Sequence, residues 1–278
     1  MSEIDEAEVR LLTSSRDLDD YDILSIRTIS VAVPYQATES FRKIIWAAMV
    51  TYAFGNQSVD YVLRRYGWLW ERRKKQSIES DPRVLLLRES SEMIKGISNK
   101  LAQYTPSDRL GDICSKAALC RLEATFKAAH GLILKGYIFE TDALIRLILE
   151  QIAWAYVAYS ASDGDIPNLL PTRCITPFKK IFPESGVLYG QLSEWAHIDP
   201  SIVENYLRFH QGNIPVVRRS RHNSLQSGIH LLALASVYVE VVQLLFCVFT
   251  PEEYEKLDIG LRNHYRNYCK LVDSGVGE

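Results

Sequence analysis

Glu194-Trp195-Ala196-His197 holds a carboxylate and an imidazole three residues apart. On a helix that spacing projects both from one face. Di-metal helical bundles use such a Glu-x-x-His pair, but they use it twice and add two further carboxylates. Glu150 and Glu240 are the candidates for those carboxylates, because each sits in a largely apolar run. No second pair exists: Lys127, Leu207, Arg219, Ser227 and Leu261 stand three residues before the other histidines. Glu150, Glu194, His197 and Glu240 are therefore an incomplete metal set. A polar pair near a helix end, just before Asp199-Pro200, is the simpler account of Glu194 and His197. No cofactor is implied.

Asp142, Arg146 and Glu150 stand at i, i+4 and i+8, one above the other on a helix. The row is either a narrow charged seam on a wet side or a buried ion pair at a site. A buried charge without a partner is costly, so Arg146 must be paired or hydrated. Structural ion pairs also occupy helices, which favours the seam. Nucleophilic chemistry has less support. G-x-S-x-G, the P-loop and G-x-G-x-x-G are all missing. Ser193 and His197, four apart on a helix, do not make a triad. Cys174 follows Arg173 in a loop, with nothing to make it a thiolate.

A cationic stretch contains Arg64, Arg65, Arg72, Arg73, Lys74 and Lys75, interleaved with Tyr66, Trp68 and Trp70. Basic side chains among aromatics can follow a phosphate backbone and stack bases. Arg218, Arg219 and Arg221, followed by His222, form a second basic patch on a loop. The net charge of −2 weighs against nucleic acid and favours a solvated helix end.

The elements that would hold these residues follow from periodicity. Leu119, Leu122, Phe126, Ala129 and Ile133 recur at three- and four-residue spacing and predict a helix from Ala118 to Lys135. Gly136 reads as its left-handed cap. A second helix starts near Glu140 to Asp142 and runs to Tyr159, polar only at Arg146, Glu150 and Gln151, so it belongs at the centre of a core. The short connection predicts an antiparallel pair.

Before this pair, residues 1–20 read as a short amphipathic turn or a mobile end. Tyr21 to Val33 could be strand or helix, with Ile23, Ile29, Val31 and Val33 of one parity. A helix over Thr38 to Phe54 carries a stripe of Phe41, Ile44, Ile45, Ala48, Met49 and Tyr52. Another spans Ser58 to Lys75 with an interruption near Gly67. Asp81-Pro82 opens a third, to about Tyr104. After the pair, proline density predicts a loop from Ser162 to Pro177. Helices follow at Val187 to His197 and from Asp199 to about Gly212, then a loop over residues 213–223. An apolar helix covers Ser224 to Phe249. Thr250-Pro251-Glu252-Glu253 is a capping box opening the last helix, to Val272.

With 278 residues, 47% of them hydrophobic, the chain has material for a sizeable core. His230 to Thr250 is long enough to span a bilayer. Glu240 and Gln243 lie at its middle, where one charge costs about 2.5–3.5 kcal/mol, so a core helix is expected and no membrane. MSEIDEAEVR lacks the basic start and apolar run of a signal peptide. Five scattered cysteines without C-x-x-C suit reduced thiols in the cytoplasm.

The segments AAHGLILKGY from Ala128, ALIRLILE from Ala143 and LSEWAH from Leu192 resemble uncharacterised bacterial all-helical proteins compared with the HEPN superfamily. In those, a helical hairpin with Arg and Glu on its second helix precedes a Ser-x-x-x-His element. The resemblance covers about Ala118 to His197. It implies that Arg146, Glu150 and His197 gather at one spot as candidate catalytic residues. It also implies a tendency to dimerise and association with defence or toxin–antitoxin systems. HEPN ribonucleases place a His after Arg and four to six residues, and none of the six histidines here is so preceded.

The expectation is an all-α multi-helix bundle around a central antiparallel pair of helices. A single domain spans 21–272, with a flexible tail over 273–278. The favoured function is a non-enzymatic interaction or regulatory protein of a prokaryotic cell, with a protein partner or a second copy. The alternatives are an RNA-binding or RNA-cleaving bundle, a ribonuclease if an enzyme, and a metal-binding bundle.

Overall fold

The structure is a computed structural model that describes residues 21–34, 37–56, 58–75, 81–196 and 221–274. It is an all-α multi-helix bundle with one two-stranded hairpin. The chain divides into two compact units, Met1–Ser77 and Ile78–Glu278. The expectations for residues 1–20, for a helix over 199–212 and for the end of the tail lie outside the described residues.

In the first unit, β1 (Tyr21–Ile26) pairs antiparallel with β2 (Ile29–Pro34). Leu24 faces Val31 and Ile26 faces Ile29. Opposed residues share a sheet face, so the turn at Arg27 reverses the inward parity. Val31 and Val33 share a face with Leu24. One parity for the whole stretch was therefore the wrong expectation. Arg27 takes φ 52° and lays its guanidinium 3.9 Å from the Phe54 ring centroid.

Helix α1 (Glu39–Phe54) begins where the Thr38 hydroxyl accepts from Phe41 N and ends at left-handed Gly55. Its buried face is Trp46, Ala47 and Met49. Phe41, Ile44 and Tyr52 of the expected stripe are 47%, 49% and 82% exposed. The helix is apolar on two faces, and periodicity alone cannot say which one packs. Helix α2 (Val59–Lys75) runs through Gly67 without a break. One helical glycine costs only about 1 kcal/mol, which the packing of Val62 and Trp70 offsets. Trp46 and Trp70 meet at 5.8 Å.

In the second unit, α3 (Pro82–Gln103) starts at Asp81, whose carboxylate accepts from Arg83 N and from the Arg83 guanidinium. Helices α4 (Leu110–Lys135) and α5 (Ile138–Ser160) are joined through Gly136, at φ 82°. The start of α4 lies against the end of α5. The Ser115 hydroxyl donates to Ala155 O at 2.7 Å, and a Cβ on Gly111 would sit 2.4 Å from Ala158 O. Leu119, Leu122, Phe126, Ala129 and Ile133 are all within 2% of full burial. Each such large side chain contributes roughly 1.5–3 kcal/mol.

A 3-10 turn (Ile166–Asn168) and α6 (Pro171–Phe178) replace much of the expected loop. Pro171 fits because the first helical N–H has no partner to lose. Pro177 falls in the last turn, where no further helix follows. Then come α7 (Glu184–Ala196), α8 (Arg221–Phe246) and α9 (Pro251–Asp273). Arg221, expected in a loop, opens α8 instead. Helix α8 is long and apolar enough to cross a membrane. Here it lines the core, and its Tyr238 hydroxyl donates to Leu119 O at 3.1 Å. The capping box at Thr250 and Glu253 forms as read from the sequence. Helix α5 packs against α4, α6, α7 and α8.

Candidate functional site

The row along α5 divides. Arg146 Nε donates to Glu150 Oε1 at 3.0 Å, with the side chains 17% and 14% exposed. Arg146 Nη2 donates to Tyr189 Oη of α7 at 2.9 Å, and the Tyr189 ring centroid lies 5.0 Å from the guanidinium carbon. The pair is half-buried, satisfied on both sides and fixed by a second helix. It is an internal brace between α5 and α7.

Asp142, one turn earlier, is 5% exposed and does not pair with Arg146. Burial pushes its carboxyl up to about 6, opposed by a hydrogen bond from the Ser227 hydroxyl of α8. Asp142 Oδ1 is buried with no hydrogen-bond partner among the described residues. It lines a cleft of about 300 Å³ together with Gln191 and Trp195 of α7, Ser227 and His230 of α8, and Val272 of α9. His230 Nδ1 is likewise buried and without a partner among the described residues, and burial pushes this imidazole's pKa down. Orphaned polar atoms are uncommon in folded proteins. Two of them line one cleft here.

Glu240 faces α9 instead. Burial raises its carboxyl, Arg262 opposes that, and Asp258 adds to it. Glu194 is exposed, and His197 lies outside the described residues. Among the described residues, no three His, Cys, Asp or Glu side chains gather as metal ligands. Glu150 is engaged by Arg146, so the structure does not bring Glu150, Glu194 and Glu240 together as one set. Burial raises the Cys174 thiol, and all five cysteines are unpaired.

Of the basic residues, Arg64, Arg65 and Arg72 are exposed on α2, and Trp68 between them is 58% exposed. The side chains of Arg73, Lys74, Lys75 and Arg221, and all of Arg218 and Arg219, lie outside the described residues.

Sequence reasoning reached Asp142 as one member of a charged row and passed over Ser227, His230 and Gln191. The available signal was Ser227 and His230 at i, i+3 in a largely apolar helix. That spacing puts both on one side of α8. Comparison of the chain with protein-family models, curated proteins and solved structures gives no match.

Proposed function

We propose that this is a non-enzymatic interaction or regulatory protein that works as a homodimer. The observation that carries the reading is the apolar stripe of Phe41, Ile44 and Tyr52, exposed along α1. Apolar side chains at i, i+3 and i+11 fall on one side of a helix. The core beneath is small: Trp46, Ala47, Val62 and Trp70 in one cluster, Leu24, Val33 and Met49 in another. Small units gain most from added burial. A second copy of the same ridge is self-complementary, as a two-fold interface requires. A net charge of −2 sets little repulsion between copies. The HEPN-like resemblance of residues 118–197 supports a cytoplasmic role in a prokaryotic defence or toxin–antitoxin system. Sedimentation of the full chain is expected to show a dimer, and Tyr52→Asp a monomer of unchanged helicity. A monomeric wild type at tens of micromolar, or a dimeric Tyr52→Asp, would overturn the reading.

A second reading, RNA binding, is favoured by one observation. Arg64, Arg65 and Arg72 flank Trp68 on the exposed side of α2, so cations and a stacking ring share one surface. Salt-dependent binding of single-stranded RNA that is lost in Arg72→Glu and Trp68→Ala would support it. Binding that is indifferent to both changes would remove it.

A further inference from the structure

Asp142 lines a cleft that is partly open to solvent, and its Oδ1 is buried with no donor among the described residues. Its only hydrogen-bonding partner among the described residues is the neutral Ser227 hydroxyl. A donor supplied from outside that reaches the carboxylate adds a hydrogen bond, and a positive charge on that donor also offsets the cost of burying the charge. An anion would meet Asp142 with no Lys or Arg among the described residues that line the cleft. A metal ion would lack ligands, since no set of three gathers among the described residues. Trp195 supplies an aromatic wall, to which cations and flat rings are attracted. The volume, about 300 Å³, lies at the lower end of ligand pockets.

We propose that the cleft between the start of α5 and helices α7, α8 and α9 binds a small organic cation, an ammonium or amidinium carried on a body of about one ring. Its N–H groups donate to the Asp142 carboxylate, and its body lies along Trp195. His230 Nδ1 is a second acceptor when its ring carries the proton on Nε2. This site lies wholly within Ile78–Glu278 and does not depend on the self-association ridge of α1.

The test uses the full chain with methylammonium, benzylammonium and benzamidinium as probes, and benzyl alcohol and benzoate as controls. Titration calorimetry and thermal melting at pH 7.5 are expected to show binding of at least one cation and of neither control. Asp142→Asn is expected to lower that affinity by about tenfold or more. Binding should also weaken below the carboxyl's pKa of about 6, as protonation removes the charge. Among the described lining residues, only His230 on α8 also titrates; α7 contributes Gln191, Leu192 and Trp195, and α9 contributes Val272. His230→Gln separates the two groups: it should leave the loss of binding at low pH in place. No binding by any cation at ~10 mM, equal binding of benzyl alcohol, or unchanged affinity in Asp142→Asn would each overturn the proposal. A cleft that holds only water would give the first of these results.

Discussion

Glu150 and Asp142 are carboxylates two turns apart on one side of α5, and their surroundings treat them differently. Glu150 accepts from Arg146 at 3.0 Å and keeps some contact with water. Asp142 is more deeply buried, has one neutral donor in Ser227, and leaves an oxygen unsatisfied. The helix itself offers both the same backbone. The difference comes from the neighbours: α7 brings Tyr189 to Arg146, whereas α8 brings Ser227 and His230 to Asp142. A satisfied ion pair serves the fold, and an unsatisfied carboxylate beside a cleft is available for a ligand.

The sharpest way to break this contrast is to make Arg146 resemble Asp142. Glu150→Leu removes the carboxylate that accepts from Arg146 Nε and leaves the contact with Tyr189 in place. Breaking a buried pair costs ~3–5 kcal/mol, and partial hydration puts this case near the lower end. Urea unfolding at pH 7 should show a loss of about 3 kcal/mol. Arg146→Leu combined with Glu150→Leu should recover most of it. A loss below about 0.5 kcal/mol would make the pair a surface seam of little weight.

The converse change removes the charge of Asp142. Its folded pKa of about 6 lies above the ordinary 3.8, so the folded state binds the proton more tightly. Stability from this group is therefore full below about pH 4 and declines as pH rises toward about 6. At neutral pH the buried carboxylate costs about 2–3 kcal/mol at ~1.4 kcal/mol per pKa unit. Asp142→Asn should stabilise by that order at pH 7 and by nothing at pH 4. His130, pushed down to about 4 by burial and by Arg88, acts with the opposite sign, as does His230. For these, the unfolded chain binds more protons, so stability falls as pH drops from about 6.5. The wild-type profile thus sums opposing slopes. The difference between variant and wild type isolates Asp142, provided that the sites are independent.

How much of this was legible follows from what each feature depends on. The α4 stripe and its Gly136 cap are set by local spacing and one backbone conformation, and both read directly from the sequence. So did the Thr250 capping box and the Arg146–Glu150 spacing. The stripe of α1 did not, because Phe41, Ile44 and Tyr52 are as apolar as the face that packs. The β-hairpin was hidden by a turn that reverses parity. The cleft was least legible of all, since it joins residues 142, 191, 195, 227, 230 and 272, drawn from four helices. No spacing within one helix reports that meeting.

The smallest expected effect tests how much of the brace belongs to α7. Tyr189→Phe removes the acceptor at 2.9 Å from Arg146 Nη2 and keeps the ring whose centroid lies 5.0 Å from the guanidinium carbon. A hydrogen bond to a charged donor contributes about 1.5–3 kcal/mol when dry, and at this half-buried position about 1 kcal/mol is expected. The loss should be flat across pH 5 to 8, unlike that of Asp142→Asn. It should grow in the Glu150→Leu background, where Tyr189 becomes a larger share of what holds the guanidinium. Additive losses in that double-variant cycle would mean that α7 and Glu150 hold Arg146 independently. Coupling of about 0.5 kcal/mol or more would show one unit, in which the geometry of α5 depends on where α7 sits. Trp195 lies farther along that same helix. The coupling therefore also measures how firmly the brace sets the wall of the Asp142 cleft.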